Sequence, residues 1–146
     1  MDWKLELVAI PVSDVDCAKA FYAEKIGFNV DHDHAVSDGL RFVQLTPPGS
    51  ACSIAFGTGL VDAEPGSVKG MQIVVADVEA ARAELAERGA GVSDVVSPPT
   101  DYGYGERQYT AEDPGGHRWT FSQSIADVDP TEWGGILVGD EEWPPL

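Results

Sequence analysis

Two stretches of the sequence that lie 63 positions apart decide the fold. The first is Val12-Ser-Asp-Val-Asp-Cys-Ala-Lys-Ala-Phe-Tyr-Ala-Glu-Lys25, and the second is Val75-Ala-Asp-Val-Glu-Ala-Ala-Arg-Ala-Glu-Leu-Ala-Glu-Arg88. Seven of the 14 aligned positions are identical, and three more keep their charge. Helix-favouring alanines explain part of this similarity, but not the shared strand-like run and aspartate in front of each helix. The pattern indicates an internal duplication.

Each copy predicts the same order of secondary structure. The aliphatic runs Leu5 to Val12 and Met71 to Val75 are typical of strands. Asp14 and Asp77 follow them as helix N-caps, and a glycine ends each helix. Short strand-like runs come next, at 28–31, 40–45 and 53–56 in the first copy and at 91–96, 107–111 and 118–122 in the second. We therefore predict an α+β fold of two tandem βαβββ modules.

Turn residues and composition divide the chain. We assign residues 1–57 to the first module, 58–69 to a linker and 70–123 to the second module. Residues 124–146 carry six acidic side chains, no basic one, three prolines and two tryptophans, Trp133 and Trp143. Such a segment has little to bury, which predicts an extended or partly disordered tail. Its tryptophans pack on the body, on a partner subunit or on nothing.

Length and charge exclude several classes of protein. The 146 residues suffice for one core, and nine basic against 25 acidic side chains give a net charge of −16. This charge disfavours partners with phosphate backbones or anionic lipid heads, so we expect neither nucleic-acid nor membrane binding. Two cysteines are too few for a disulfide framework, and the N-terminus lacks a signal-peptide pattern. We expect a cytoplasmic protein with reduced thiols.

Four local patterns carry a resemblance to a known family. They are Val12-Ser-Asp-Val-Asp with Ala20-Phe21-Tyr22 and Gly27-Phe28, the duplicate at Val75, Gln44-Leu-Thr-Pro-Pro-Gly49, and Asp113-Pro-Gly-Gly-His-Arg-Trp119. Over residues 5–123 the chain resembles the vicinal oxygen chelate superfamily, which includes glyoxalase I, extradiol dioxygenases and bleomycin-resistance proteins. The resemblance implies two βαβββ modules whose strands curl into a half-barrel around a cavity, commonly in a homodimer.

The resemblance also implies four metal-ligand positions, two in each module. In this sequence they fall on Leu7, Ala55, Gly70 and Thr120. The first three offer no side-chain donor, and Thr120 offers only a hydroxyl oxygen. Divalent metals need several N, O or S donors that converge on one point. We therefore expect no metal and no other cofactor, which places the chain with the metal-free, bleomycin-resistance-like branch.

Strand alternation predicts the walls of the cavity. Leu5, Leu7 and Ala9 point inward, together with Phe42 and Gln44, while Trp119 and Phe121 face the helices. A glycine-rich loop, 97–107, closes over one end and offers Tyr102 and Tyr104 for stacking on a planar ligand or for packing on a partner or on solvent-facing strands. Arg107 or Arg118 then meets a carboxylate or carbonyl. The predicted ligand-binding residues are Leu7, Phe42, Gln44, Ala55, Gly70, Tyr102, Tyr104, Arg107, Arg118 and Thr120.

Other reactive side chains receive structural interpretations. Asp31-His32-Asp33-His34 offers two histidines on one strand face, which is half a metal site, but it is more typical of a charged edge strand. His117 follows a Gly-Gly turn and is assigned a role in that turn rather than in catalysis. Cys17 and Cys52 lack basic neighbours in the sequence and are assigned to packing.

Three functions are compatible with these patterns. We favour a metal-free protein that sequesters a hydrophobic or aromatic organic molecule, an antibiotic being one candidate, because the pocket is apolar and the ligand positions are lost. The alternative is a metal-independent isomerase or lyase, for which Glu106, His117 and Tyr102 are the candidate acid–base groups and no catalytic residue is assigned. A regulatory or scaffolding role of the acidic tail has the least support.

Overall fold

The first half of the chain forms one helix and a four-stranded mixed sheet. The structure, a computed structural model, describes residues 1–89 and 95–136. The elements of this half are β1 (Leu7–Ala9), α1 (Val15–Ala20), β2 (Asn29–Ser37), β3 (Leu40–Thr46) and β4 (Ser53–Thr58). Helix α1 continues as a π-helix over Phe21–Ile26. The strands lie in the order β1-β4-β3-β2, with β1 parallel to β4 and the other pairs antiparallel.

The second half repeats this arrangement. Its elements are β5 (Met71–Val74), α2 (Val78–Glu87), β6 (Val95–Tyr102), β7 (Glu106–Glu112) and β8 (Arg118–Ser124). The strand order is β5-β8-β7-β6, and β5 is parallel to β8. Across the described residues the two sheets remain separate and neither closes into a barrel. The predicted α+β fold of two βαβββ modules is confirmed.

Both helices begin as the duplicated aspartates predict. The Asp14 carboxylate accepts a hydrogen bond of 3.0 Å from the backbone N–H of Cys17, and the Asp77 carboxylate accepts one of 3.0 Å from that of Ala80. Each bond satisfies an amide that the first helical turn leaves without a partner. The helical segment of the first half ends at Gly27, whose φ of 88° is a left-handed conformation that favours glycine.

A single apolar core joins the two halves. One face of each sheet packs on the helices, and its side chains alternate with residues on the other face. The fully or nearly buried members are Ile10, Phe21, Tyr22, Phe28, Val43, Leu45, Ile54, Phe56, Val78, Leu85, Tyr109, Ala111, Trp119 and Phe121. The placement of Trp119 and Phe121 on the helix side agrees with the prediction from alternation. Because residues of both halves share this cluster, neither half has a separate core.

A buried hydrogen-bond network crosses the joint between the halves. The Tyr22 hydroxyl donates to the Asp113 carboxylate and accepts a bond of 2.9 Å from Trp119 Nε1. The other Asp113 oxygen accepts the backbone N–H groups of Gly115 and His117, each at 2.9 Å. Burial and the Asp113 charge raise the pKa of the Tyr22 hydroxyl, so it stays protonated and remains a donor.

His117 contributes two further hydrogen bonds to the joint between the halves. Its side chain is fully buried, and its Nδ1 accepts a bond of 3.1 Å from the backbone N–H of Val68. Nε2 therefore carries the proton and donates to the Pro11 carbonyl at 2.6 Å. With both ring nitrogens occupied, His117 ties the segment before β5 to the segment after β1. This placement agrees with a role in the turn.

The structure corrects three details of the prediction. Strand β2 runs to Ser37 rather than ending at residue 31, because its backbone pairs with β3 along its whole length. The expected loop 97–107 is mostly strand: β6 extends to Tyr102, and only Gly103–Gly105 form the turn. Cys17 is exposed rather than packed, because it lies off the apolar stripe of α1. Residues 91–94 of the predicted strand 91–96 lie outside the described residues.

The start of the tail folds back on the β6–β7 turn. The backbone N–H groups of Ile125 and Ala126 donate to the Gly105 carbonyl, and a 3₁₀-helix follows at Pro130–Trp133. Gly105 has a φ of 90°, and a Cβ there would lie 2.2 Å from the Ala126 carbonyl oxygen. Trp143 lies outside the described residues. In the part of the chain that the structure describes, no helix has the length and hydropathy to cross a bilayer.

We predict that Tyr22→Phe destabilises the protein by about 2–3 kcal/mol, because it leaves Asp113 Oδ2 and the buried Trp119 indole N–H without a partner. The measurement is the urea-unfolding midpoint. Tyr109→Phe is the matched control: Tyr109 is equally buried, but its hydroxyl forms no hydrogen bond with a described residue, so we expect a change within about 0.5 kcal/mol. Equal losses for the two variants would contradict the role of the network.

We predict that Gly105→Ala costs about 3 kcal/mol of unfolding free energy, because left-handed strain and a clash with the Ala126 carbonyl add together. Gly49→Ala is the control, since Gly49 has a similar φ of 82° but open space around it. That variant should lose only about 1–2 kcal/mol. Thermal unfolding compares the two, and a smaller loss for Gly105→Ala would show that the tail does not constrain the turn.

Candidate functional site

The two sheets expose the faces that turn away from the helices, which we call the open faces. Buried core residues identify the helix side of each sheet, so the residues that alternate with them lie on the open face. In the first sheet the core residues lie at alternating positions of β3 and β4; in the second they are Tyr109, Ala111, Trp119 and Phe121. The open face of the first sheet carries Leu7, Ala9, Phe42, Gln44, Ser53 and Ala55. The open face of the second sheet carries Gln72, Glu106, Gln108, Thr110, Glu112, Arg118, Thr120 and Ser122.

The open face of the first sheet combines apolar and small side chains with a short polar strip. Leu7 and Phe42 are half-buried, and Ala55 is fully buried in the middle of the face. Gln44 lies directly opposite Ala55 and donates a bond of 3.3 Å to the Ser53 hydroxyl. Four of the predicted ligand-binding residues therefore lie on this one face. Its apolar walls suit an uncharged organic molecule better than a hydrated ion.

Two histidines extend this face at its outer edge. His32 pairs with Gln44 and His34 pairs with Phe42, so both imidazoles share the open face, with ring centroids 5.4 Å apart. Asp33 faces the opposite side, where Arg41 and Lys19 donate to its carboxylate and hold its pKa well below the ordinary value. The histidine pair on an edge strand agrees with the interpretation from sequence, but its position beside Phe42 and Gln44 was not predicted.

The open face of the second sheet carries a continuous polar network at one end. Glu106 Oε2 accepts bonds of 2.8 Å from Gln108 Nε2 and from the Ser122 hydroxyl. Gln108 Oε1 in turn accepts a bond of 3.1 Å from the Tyr104 hydroxyl. Further along the same face, the hydroxyls of Thr110 and Thr120 lie 3.1 Å apart. These groups form a pre-oriented set of donors and acceptors on a rigid sheet.

Three aromatic rings border this polar network. Tyr102 and Tyr104 stack with centroids 5.4 Å apart and an interplanar angle of 12°. Trp133 from the tail meets the edge of Tyr104, with centroids 5.9 Å apart. The tyrosines remain 38% and 39% exposed, so an outer ring surface is free to contact a planar molecule. We call Tyr102, Tyr104, Glu106, Gln108 and Ser122 the aromatic corner.

The two predicted arginines lie in different places. Arg118 is on the open face, where its Nη2 donates 3.1 Å to Glu112 while its Nε has no partner among the described residues. Arg107 lies on the helix side, on the same face as Tyr109, and donates to both oxygens of Asp101, which lowers the pKa of that carboxyl. The structure therefore brings Arg118 to the open face but not Arg107.

The four implied metal-ligand positions form two pairs, one in each half, and the two pairs occupy equivalent places in their sheets. On β1 and β4, Leu7 lies two residues before the partner of Ala55; beside β8, Gly70 lies two residues before the partner of Thr120. The register is thus the same in both halves, which supports the alignment of the four positions. The side chains at these positions are aliphatic (Leu7 and Ala55), missing (Gly70) or a hydroxyl (Thr120). Such a set does not fit a divalent metal. Within residues 1–89 and 95–136, no three His, Cys, Asp or Glu side chains cluster in a way that could hold one.

Glu106 and Gln108 lie on the open face but are absent from the predicted ligand-binding residues. A signal was available, since alternation backward from the apolar Tyr109 and Ala111 assigns both of them to the other face. Glu106 was missed because 97–107 was interpreted as a loop, whereas Gln108 lies inside the predicted strand 107–111 and its face was not assigned. Tyr102 and Tyr104, which were predicted to lie in a loop over one end of the cavity, lie on a strand end and a tight turn, where their rings stack on each other.

The comparisons with known proteins identify the family. The model of the Glyoxalase/Bleomycin resistance protein/Dioxygenase superfamily matches residues 4–121. TnmS3, an antibiotic-binding protein from Streptomyces sp. CB03234, is 31% identical with a TM-score of 0.72, over 84% of this chain and 97% of that one. A glyoxalase/bleomycin resistance protein from the same strain is 33% identical with a TM-score of 0.68, over 82% and 100%.

A third similar structure comes from Sphaerobacter thermophilus DSM 20745. It is a member of the same superfamily and is 27% identical, with a TM-score of 0.74 over 84% of this chain and 98% of that one. The search among curated proteins found no match. The family match, the βαβββ duplication and the two mixed sheets that form a curled half-barrel agree with one another. This chain therefore belongs to the glyoxalase/bleomycin resistance protein/dioxygenase superfamily.

Proposed function

We propose that the protein binds and sequesters a hydrophobic or aromatic organic molecule without a metal, in the manner of an antibiotic-resistance protein. The observation that carries the proposal is the composition of the open faces. Apolar walls (Leu7, Phe42), stacked tyrosines and a fixed set of neutral donors and acceptors are the elements of a small-molecule site. The likeness to TnmS3, an antibiotic-binding protein, supports the same class of ligand.

A metal-independent isomerase or lyase is the second candidate, and Glu106 is the residue that favours it. Its carboxylate is half-buried and held by two hydrogen bonds, as a general base would need. His117 does not contribute, because both of its ring nitrogens are occupied inside the core. Product formation from a bound compound, followed by chromatography, separates this candidate from sequestration.

We also propose that the protein is a cytoplasmic homodimer. A well-bound small molecule has 70–90% of its surface covered, roughly, and one open face by itself supplies only a single wall. Strands β1 and β5 each pair on one side only within the described chain. Leu5, just before β1, and Val74, the last residue of β5, are 71% and 79% exposed. A groove of about 510 Å³, lined by residues of both halves that include Leu5, Val8, Met71 and Ile73, lies between these edges. A second copy covering this region would bury apolar surface along both strand edges.

We predict that replacing the tyrosine rings weakens the binding of planar aromatic compounds. Tyr102→Ala and Tyr104→Ala should each raise the Kd roughly 2–10-fold, the loss expected from about 0.5–1.5 kcal/mol of stacking. Fluorescence titration measures the affinity. The control is Val30→Ala, because Val30 is 42% exposed but lies on the helix-side face of β2. Equal effects of all three variants would contradict a site at the aromatic corner.

Removal of metal should leave binding unchanged. We expect the same Kd for the aromatic compounds before and after dialysis against EDTA, because the four implied ligand positions hold no adequate donors. Titration of the dialysed protein, with elemental analysis for zinc, iron and nickel, checks this. A loss of affinity that added zinc, iron or nickel restores would overturn the metal-free proposal.

We predict that Val74→Asp converts a dimer to a monomer, because it places a charge on β5, an apolar edge strand that is unpaired on its outer side. Sedimentation velocity measures the state. Val36→Asp is the control, since Val36 is 65% exposed but lies at the end of the far edge strand, β2. A monomeric wild-type protein, or a dimer that tolerates Val74→Asp, would contradict the assignment of this edge.

A further inference from the structure

Two carboxylates lie on the open face of the second sheet, and they have opposite environments. Glu106 begins β7 and Glu112 ends it, so the two are separated by six residues, or about 20 Å of extended strand. Both belong to residues that are only partly exposed. Removing part of the water from a carboxylate disfavours its charged form unless a counter-charge or hydrogen bonds replace that water.

Glu112 has its counter-charge within the chain. Arg118 lies directly opposite on β8 and donates 3.1 Å to Glu112 Oε1, and Lys69 Nζ lies 4.0 Å from Oε2. The pair is formed by residues that face each other across the ladder, the arrangement in which opposite charges stabilise a sheet. A ligand that reaches this end of the face meets a carboxylate that is already neutralised.

Glu106 has only neutral partners. Gln108 and Ser122 both donate to the same oxygen, Oε2, at 2.8 Å. No lysine or arginine of the described chain forms an ion pair with Glu106, and none of the described residues donates to Oε1. The two bonds hold the carboxylate in one orientation while Oε1 keeps its capacity to accept a donor from outside the chain.

The rings beside Glu106 favour a positive charge at the same place. Tyr102 is its register partner across β6 and β7, so the two side chains share one face. The charge of Glu106 also reaches Tyr104: burial first, and then the Tyr102 and Glu106 charges, raise the pKa of the Tyr104 hydroxyl. The faces of tyrosine rings carry negative potential and attract cations within about 6 Å of the ring centre.

We propose that the aromatic corner is a cation-recognising subsite, and that the natural ligand is a planar aromatic molecule that carries a protonated amine. The rings of Tyr102 and Tyr104 contact the planar part, and Glu106 Oε1 accepts the ammonium N–H. This inference rests on the proposed function, because it adds a charge requirement to the same binding face. The net charge of −16 supports it at long range, since an acidic protein attracts cationic molecules before contact.

The test uses three fluorescent probes with one ring system and different charges. 1-Pyrenemethylamine is cationic at neutral pH, 1-pyrenemethanol is neutral and 1-pyrenecarboxylate is anionic. Each is titrated into the wild-type protein and into Glu106→Gln and Glu112→Gln, with pyrene fluorescence as the readout. The two variants change the net charge equally, so a difference between them reports the position of the carboxylate rather than the overall charge.

We expect the wild-type protein to bind the amine roughly tenfold more tightly than the alcohol, the factor that corresponds to one charge-assisted hydrogen bond, and the carboxylate most weakly. Glu106→Gln should reduce the amine-to-alcohol ratio to within about twofold. Glu112→Gln should keep the tenfold ratio.

Three results would overturn the inference. Equal wild-type affinities for the amine and the alcohol remove the charge requirement, while the proposed function stands. An equal decrease of the amine-to-alcohol ratio in both variants shows that the preference for the amine comes from the overall charge, and again the proposed function stands. Failure of all three probes to bind the wild-type protein overturns the proposed function and this inference together. If Glu106→Gln fails to fold, the comparison of probes on the wild-type protein still tests the charge requirement.

Discussion

The hydroxyl of Tyr22, held between the Asp113 carboxylate and the Trp119 indole, joins the two halves of this chain inside a shared core. Each group is buried, so each must keep its partner, and together with His117 they determine how the two βαβββ units pack. Their helix sides turn toward one cluster and their open faces turn outward. The location of the candidate site therefore depends on a contact that lies on the other side of the sheets.

The chemistry of that site depends on which side chains strand alternation places on the open faces. The first sheet contributes Leu7, Phe42 and the small Ala55, while the second contributes Gln108, Thr110, Thr120 and Ser122 with two stacked tyrosines. At the positions where the resemblance implies metal ligands, the same register holds groups that do not coordinate. A fold that other members of the superfamily use for metal chemistry thus presents, in this chain, walls for an organic molecule.

Charge on this protein acts on two scales. The net charge of −16 sets a long-range preference for cations, whereas most carboxylates near the sheets are compensated locally: Asp33 by Arg41, Asp101 by Arg107 and Glu112 by Arg118. Local pairs of this kind carry little specificity. A carboxylate that is fixed in orientation but lacks a basic partner, as Glu106 does among the described residues, is the feature that distinguishes one ligand from another.

Much of the fold was predictable because its signals are local. The N-caps Asp14 and Asp77 and the helix-side position of Trp119 and Phe121 each depend on residues within a few positions of one another, and the duplication repeats such local signals 63 positions later. Strand β2 was predicted too short because residues 32–37 are exposed and mostly polar, and only pairing with β3 extends the strand over them. Glu106, the first residue of β7, was likewise assigned to a loop, and only its pairing with Tyr102 and Ser124 places it in the strand. The sequence by itself determined the order of elements and which side chains stand at the four implied metal-ligand positions. Only the tertiary structure decided which charges meet, because ion pairs and open faces arise from the pairing of strands.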